Sequence, residues 1–170
     1  MGRSRKLAAL FSIIVAGLIS LAAGSRETLS AAAPPTNDIY PPPESAPVEI
    51  QNALKLAAQD HKNVLLIFGG NWCYDCHTLE TLLHSSRVAP ALEASYHVVN
   101  VNIGEFDRNL DLAKKYGVPM DQGVPALAVL DRYGLIIFSQ RQGEFSSSDR
   151  GTPRKVVQFL EKWKPHPRPS

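Results

Sequence analysis

Cys73 and Cys76 are the only cysteines in a chain of 170 residues. At that spacing they form one local disulfide, a reactive pair or a pair of ligands. They follow an unbroken apolar run, Val64-Leu65-Leu66-Ile67-Phe68, and a Gly69-Gly70-Asn71 break. A strand should therefore turn into a helix where they stand. Two cysteines three apart at a helix start face each other across one turn, close enough to form and break a disulfide without moving the fold. Cys73 would lie beside backbone N–H groups that lack helical partners, at the positive end of the helix. Both favour thiolate over thiol and lower its pKa. Cys76, one turn in, is the more shielded sulfur and is suited to resolve a mixed disulfide. Dithiol–disulfide exchange requires that division of labour.

Other chemistry fits the same residues. Cys73-Tyr74-Asp75-Cys76-His77 satisfies the C-x-x-C-H haem-attachment pattern, with His77 as axial ligand and Met120 as a second. The apolar strand upstream, Trp72 and a strand-rich second half oppose a small, largely helical cytochrome. Zinc needs four ligands around a point, whereas Cys73, Cys76, His77 and His84 fall on one helix. An inert structural disulfide would close so short a loop that it adds little stability. A binding module that keeps the groove without turnover is a third class. Outside a ligand role, His77 and His84 read as surface histidines.

The elements that must position the pair follow from periodicity. Ile50, Ala53, Leu54, Ala57 and Ala58 recur at helical spacing, which predicts an amphipathic helix over 47–60. The apolar run 64–68 predicts a strand covered on both faces. A second helix is expected from Cys73 to His84, with Leu79, Leu82 and Leu83 inward. Tyr96 to Ile103 alternates, Val99, Val101 and Ile103 against Asn100 and Asn102, as a strand does. Arg108 to Tyr116 predicts a short helix ended by Gly117. Ala126–Leu130 and Leu135–Phe138 are two more strands, joined by Asp131-Arg132-Tyr133-Gly134 as a type I turn. Thr152 should cap a last helix that begins at Pro153 and presents Val156, Val157, Phe159, Leu160 and Trp163 to the sheet. Parallel β-α-β units followed by an antiparallel hairpin make an α/β sandwich. Pro119 reads as a loop proline.

The ends of the chain read differently. Arg3, Arg5 and Lys6 precede the apolar run Leu7 to Ile19, and Ala22, Ala23 and Gly24 follow. Residues 1–24 are thus expected to be a signal peptide, cleaved on export. The run falls short of the about 20 apolar residues a spanning helix needs, although Leu21 to Ala23 would extend it into an N-terminal anchor. Residues 25–46 hold five prolines among Ala, Ser and Thr and read as an extended linker outside the core. The folded domain is placed at 47–164, with 165–170 a frayed tail. Hydrophobic residues at 44%, charged residues at 20% and a net charge of +2 describe one ordinary globular domain. That near-neutral balance argues against nucleic acid as partner.

Phe68-Gly-Gly-Asn-Trp-Cys-Tyr-Asp-Cys76, followed by Gly123-Val124-Pro125-Ala126 entering a strand, resembles the thioredoxin superfamily. The resemblance spans roughly 47–164 and implies a three-layer α/β sandwich, a mixed sheet with helices on both faces. By resemblance Cys73 is the nucleophile and Cys76 the resolving thiol. Pro125 is a cis-proline facing the sulfurs, and the Val124 backbone receives a bound substrate chain. Trp72 and Tyr74 would shape the substrate groove. Three departures stand out. Tyr74-Asp75 replaces the Gly-Pro of cytosolic thioredoxins. Ile67 and Asn100 stand where that family carries a buried aspartate and a lysine. Glu80, four residues after the second cysteine, is similar to a glutamate in the C-terminal thioredoxin-like domain of the Dsb-type membrane reductase that carries electrons into the periplasm. Glu80 lies one turn beyond Cys76, within reach of its proton.

Asp75 and His77 tune the pair in opposite senses. A carboxylate near Cys73 raises its pKa and makes the pair more reducing, while a protonated His77 does the reverse. Asp75 is charged throughout the neutral range and carries more weight. The expected function is that of a disulfide reductase of the cell envelope. Its cofactor is nothing beyond the redox-active Cys73–Cys76 disulfide. Its partners are protein disulfides and a membrane electron donor of the Dsb-reductase type, and it is expected to act as a monomer.

Overall fold

Asn63–Gly69 forms strand β1, and all seven of its residues are buried, which requires cover on both faces of a sheet. The computed structural model describes residues 38–145 and 151–166. Around β1 stand α1 (Ala46–Asp60), α2 (Tyr74–Leu83), α3 (Ala89–Ser95), β2 (Tyr96–Asn102), α4 (Leu110–Lys115), β3 (Ala126–Leu130), β4 (Ile136–Ser139) and α5 (Pro153–Trp163). Short 3-10 turns occupy Pro43–Ser45 and Met120–Gln122. The sheet order is β2-β1-β3-β4. β2 runs parallel to β1, from Asn63 opposite Tyr96 to Gly69 opposite Asn102. β3 runs antiparallel to β1, with Phe68 opposite Ala126, and β4 antiparallel to β3. This is the mixed α/β architecture expected from the sequence.

Helix α1 packs on β1 and β2, while α2 and α3 both meet α5. The core is Phe68, Leu65, Leu66, Leu127 and Leu130 from the sheet, with Ile50, Leu83 and Leu160 from the helices. Thr152 caps α5 by accepting the Lys155 N–H, and Pro153 is its first residue. The far end of α5 is tied to the starts of two strands. Asn63 Nδ2 donates to the Trp163 carbonyl at 2.8 Å and the Tyr96 hydroxyl to the Leu160 carbonyl at 2.7 Å.

Periodicity alone does not show α3. It is seven residues long with one buried residue, Leu92, too short to display an apolar face. The helix expected from Cys73 to His84 starts at Tyr74, with Cys73 as its N-cap.

The linker expected over 25–46 needs a larger correction, because its last part is folded. Tyr40 is 2% exposed and belongs to the core. Pro41, Pro42 and Pro43 have no N–H to offer, yet their carbonyls remain acceptors. Asparagine side chains supply the donors. Nδ2 of Asn100 reaches the Ile39 carbonyl at 2.9 Å and Nδ2 of Asn71 that of Tyr40 at 3.0 Å. Asn102 and Asn109 hold the carbonyls of Pro41 and Pro43, both at 2.8 Å. Asn71 Oδ1 also accepts the Tyr40 N–H at 2.8 Å. The expected signal peptide or anchor, 1–24, and the linker up to residue 37 lie outside the described residues, as do 167–170 of the tail.

Replacing Tyr40 by Ala should therefore lower unfolding free energy by roughly 3 kcal/mol or more, read as a lower urea midpoint. A true linker residue would change it by under about 0.5 kcal/mol.

Candidate active site

At the end of β1 the chain turns tightly, with the Cys73 N–H donating to the Gly70 carbonyl at 3.0 Å. Cys73 then takes extended backbone as N-cap of α2, and its sulfur accepts the Cys76 N–H at 3.1 Å. A sulfur thus does what a serine or aspartate oxygen does at other helix starts, satisfying an otherwise unpaired N–H. The two cysteines form a disulfide, their Cα atoms 5.2 Å apart. Cys73 is 5% exposed and Cys76 2%. The order of access is the expected one, but the first sulfur is far less open than its role suggested. Gly69 explains how Cys76 fits. It needs no left-handed backbone, yet a Cβ there would stand 2.6 Å from the Cys76 sulfur and collide with the Tyr40 hydroxyl.

The second wall comes from the loop before β3. Because Ala126 pairs with Phe68, the residues just ahead of Ala126 must lie at the cysteine end of β1. The Val124–Pro125 peptide is cis, and the Val124 carbonyl oxygen lies 3.8 Å from the Cys73 sulfur. Gln140, 1% exposed, holds this loop from behind, donating Nε2 to the Pro125 carbonyl at 3.2 Å and its backbone N–H to the Leu127 carbonyl at 2.8 Å.

These features meet in one arrangement: a Cys-x-x-Cys disulfide capping a helix, opposite a cis X-Pro peptide, on a β2-β1-β3-β4 sheet. The sequence matches the Thioredoxin-like family over residues 46–132. The chain belongs to the thioredoxin-like family. It is similar to the crystal structure of a disulphide isomerase from Xylella fastidiosa Temecula1, at 30% identity and a TM-score of 0.70, covering 75% of this chain and 98% of that one. It is also similar to a DsbH oxidoreductase, at 25% identity and a TM-score of 0.50, over 67% of this chain and 82% of that one. The C-terminal domain of Neisseria meningitidis DsbD in its reduced form matches at 19% identity and a TM-score of 0.47, over 68% of this chain and 95% of that domain. No curated protein matches the sequence.

Within this thioredoxin-like site the remaining sequence-predicted residues divide. Trp72 is 46% exposed, donates Nε1 to the Gly104 carbonyl at 2.7 Å and meets the Phe106 ring at 5.3 Å. Tyr74 is 81% exposed, so with Trp72 and Phe106 it presents aromatic surface near the disulfide. Asp75 lies in the first turn of α2. His77 donates Nε2 to the Asn71 carbonyl at 2.8 Å, which commits the nitrogen that an axial haem ligand would use. Met120 sits in a 3-10 turn. Among the described residues no three His, Cys, Asp or Glu side chains come together as a metal site.

Glu80 is partly buried. One carboxylate oxygen is 2.9 Å from His84 Nε2 and the other 3.5 Å from Asn100 Nδ2. Ile67 and Asn100 are register partners across β1 and β2, so the two departures from the family pattern adjoin each other. Three residues of the site escaped sequence reasoning. Phe106 lies in an irregular loop at φ 65°, a disfavoured backbone for a bulky residue that no sequence pattern marks. Gln140 follows a strand and looks like a surface residue. Tyr40 sits amid prolines, and burial first, then the negative charge of Glu80, push its phenol far above the ordinary value. It remains a hydrogen-bond donor at any working pH.

Gly69→Ala should cost roughly 1–3 kcal/mol, because the added methyl must displace either the sulfur or the phenol. A urea midpoint equal to that of the wild type would contradict this close approach.

Proposed function

We propose that the chain is an exported thiol–disulfide oxidoreductase that works as a disulfide reductase in the cell envelope. One observation carries the reading: the Cys73 sulfur caps α2 on the Cys76 N–H while lying against the Val124 carbonyl. A nucleophilic sulfur is thereby placed beside a backbone edge able to receive a substrate chain. The relatives named as a disulphide isomerase and as an oxidoreductase support it.

In the reduced protein the Cys73 thiolate attacks a substrate disulfide. A Cys73–substrate bond forms, and the displaced substrate sulfur leaves as a thiolate that takes a proton. Cys76 then gives up its proton, with Glu80 as acceptor, and its thiolate attacks the Cys73 sulfur. The second substrate sulfur departs, the Cys73–Cys76 bond closes, and two electrons have passed to the substrate. Trp72, Tyr74, Val124 and Pro125 hold the substrate chain. A dithiol donor at the membrane returns the two electrons.

The direction rests on what surrounds Cys73. One backbone N–H reaches its sulfur, a carbonyl oxygen of the loop lies 3.8 Å from it, and Asp75 adds a negative charge in the same turn. His77, the counterweight, is turned to the Asn71 carbonyl. A thiolate stabilised so little gives up electrons readily. Export rests on Arg3, Arg5 and Lys6 ahead of the apolar run. Among the described residues no helix is long and apolar enough to cross a membrane.

The purified chain, reduced, should reduce insulin, and Cys73→Ser should abolish turnover. Cys76→Ser should accumulate mixed disulfides through Cys73. The Cys73–Cys76 couple should equilibrate with glutathione or dithiothreitol at roughly −230 to −270 mV, whereas a value near −120 mV, that of a strong oxidant, would overturn the direction.

A further inference from the structure

Tyr40 is buried, protonated and unused by the exchange chemistry, yet much of the surrounding polar structure holds it in place. Four asparagines from separate points of the fold grip consecutive stretches of its segment. Asn71 precedes the cysteines, Asn100 and Asn102 project from β2, and Asn109 is the N-cap of α4. Asn71 grips the Tyr40 backbone twice, once at the N–H and once at the carbonyl. A strap fastened that way fixes where the phenol points.

The phenol lies near the resolving cysteine. A Cβ on Gly69 would collide with both the Tyr40 hydroxyl and the Cys76 sulfur. Oxygen and sulfur are thus neighbours around the missing side chain. Glu80 is the third member, close enough for its charge to act on the phenol. Beyond Glu80 lies a cavity of about 360 Å³ lined by Ile39, Pro41, Glu80, His84 and Asn100, among others. Asn100 adds a buried Oδ1 that has no partner among the described residues. It is the donor end of that amide, Nδ2, that lies 3.5 Å from Glu80.

We propose that Tyr40 is a positioning residue for Cys76: strapped in place by the asparagines, its hydroxyl donates to the Cys76 thiolate as that thiolate forms. The proposal rests on the exchange reading above and deepens it. During resolution the Cys76 S–H proton passes to the Glu80 carboxylate and from there to the cavity. The thiolate, steadied by the Tyr40 O–H, attacks the Cys73 sulfur, the new S–S bond forms, and the Cys73–substrate bond breaks. Tyr40 keeps its own proton throughout. The other charged or titratable groups around Cys76 are accounted for. Asp75 precedes it on α2, His77 is held by the Asn71 carbonyl, and His84 is bonded to Glu80.

Because the chain has two cysteines, Cys73→Ser leaves Cys76 as the single thiol, and its ionisation can be followed by ultraviolet thiolate absorbance. In that background Tyr40→Phe should raise the titration midpoint by about one pH unit, since a hydrogen bond to the charged form is lost while the ring still fills its place. Glu80→Gln should lower it, because a negative charge near the sulfur is removed. An unchanged or lowered midpoint in Tyr40→Phe overturns the proposal. As a second readout with both cysteines present, Tyr40→Phe should shift the pH profile of mixed-disulfide resolution upward by the same amount; an unshifted profile also overturns it. Failure of the wild-type chain to reduce insulin would instead overturn the exchange reading, and the Cys76 titration would still report on Tyr40.

Discussion

A helix start leaves backbone N–H groups without partners, and in this protein one of them is aimed at sulfur. The bond from the Cys76 N–H to the Cys73 sulfur at 3.1 Å sets the geometry on which the rest depends. It requires Cys73 to be the cap rather than the first helical residue, and the chain to leave β1 through a tight turn. It also places both sulfurs at the end of the central strand. β1 is buried along its whole length, so this end is a rigid platform. The pairing of Ala126 with Phe68 then delivers the Val124 carbonyl to the same point without any contact in between having to move.

The polar interior behind the sulfurs is arranged differently from the buried aspartate and lysine that the family resemblance would supply. Ile67 and Asn100 occupy those places and adjoin each other across the two strands, so the sheet itself carries no charge there. The titratable group beside Asn100 is Glu80 on α2, and the asparagine that meets it is neutral. An amide offers both donors and acceptors without the desolvation cost of a buried charge. That suits Asn100, which serves the Ile39 carbonyl and Glu80 together. The same device fastens the N-terminal strap, where the Ile39, Tyr40, Pro41 and Pro43 carbonyls each accept an asparagine amide.

On the outer side the site is apolar and exposed. Trp72, Tyr74 and Phe106 leave aromatic surface uncovered next to a disulfide that is itself nearly sealed. Trp72 is fastened by its Nε1 to Gly104 and by its ring to Phe106. The loop that carries both partners takes left-handed backbone at Gly104, Phe106 and Asn109. Asn109 in turn holds the strap at Pro43 and the Asn102 carbonyl. Exposed aromatic surface, loop and strap are therefore one connected unit, with the sulfurs between its outer and inner faces.

The sequence by itself determined the elements whose signals are local. An apolar run of strand length, helical spacing in α1 and α5, the Thr152-Pro153 start and the cysteine spacing all lie within one or two turns of chain. Backbone geometry turns such patterns directly into faces. The fold class and the reactive pair were legible for that reason. The tertiary structure alone decided that Tyr40 belongs to the core, that Glu80 meets Asn100 and His84, that Phe106 backs Trp72 and that Gln140 steadies the Pro125 loop. Each of these depends on strand register and helix packing that bring distant stretches together; Tyr40 and Asn71, for example, are 31 residues apart. A proline-rich stretch looks like linker until the donors that satisfy its carbonyls are in place, and those donors come from three other parts of the fold.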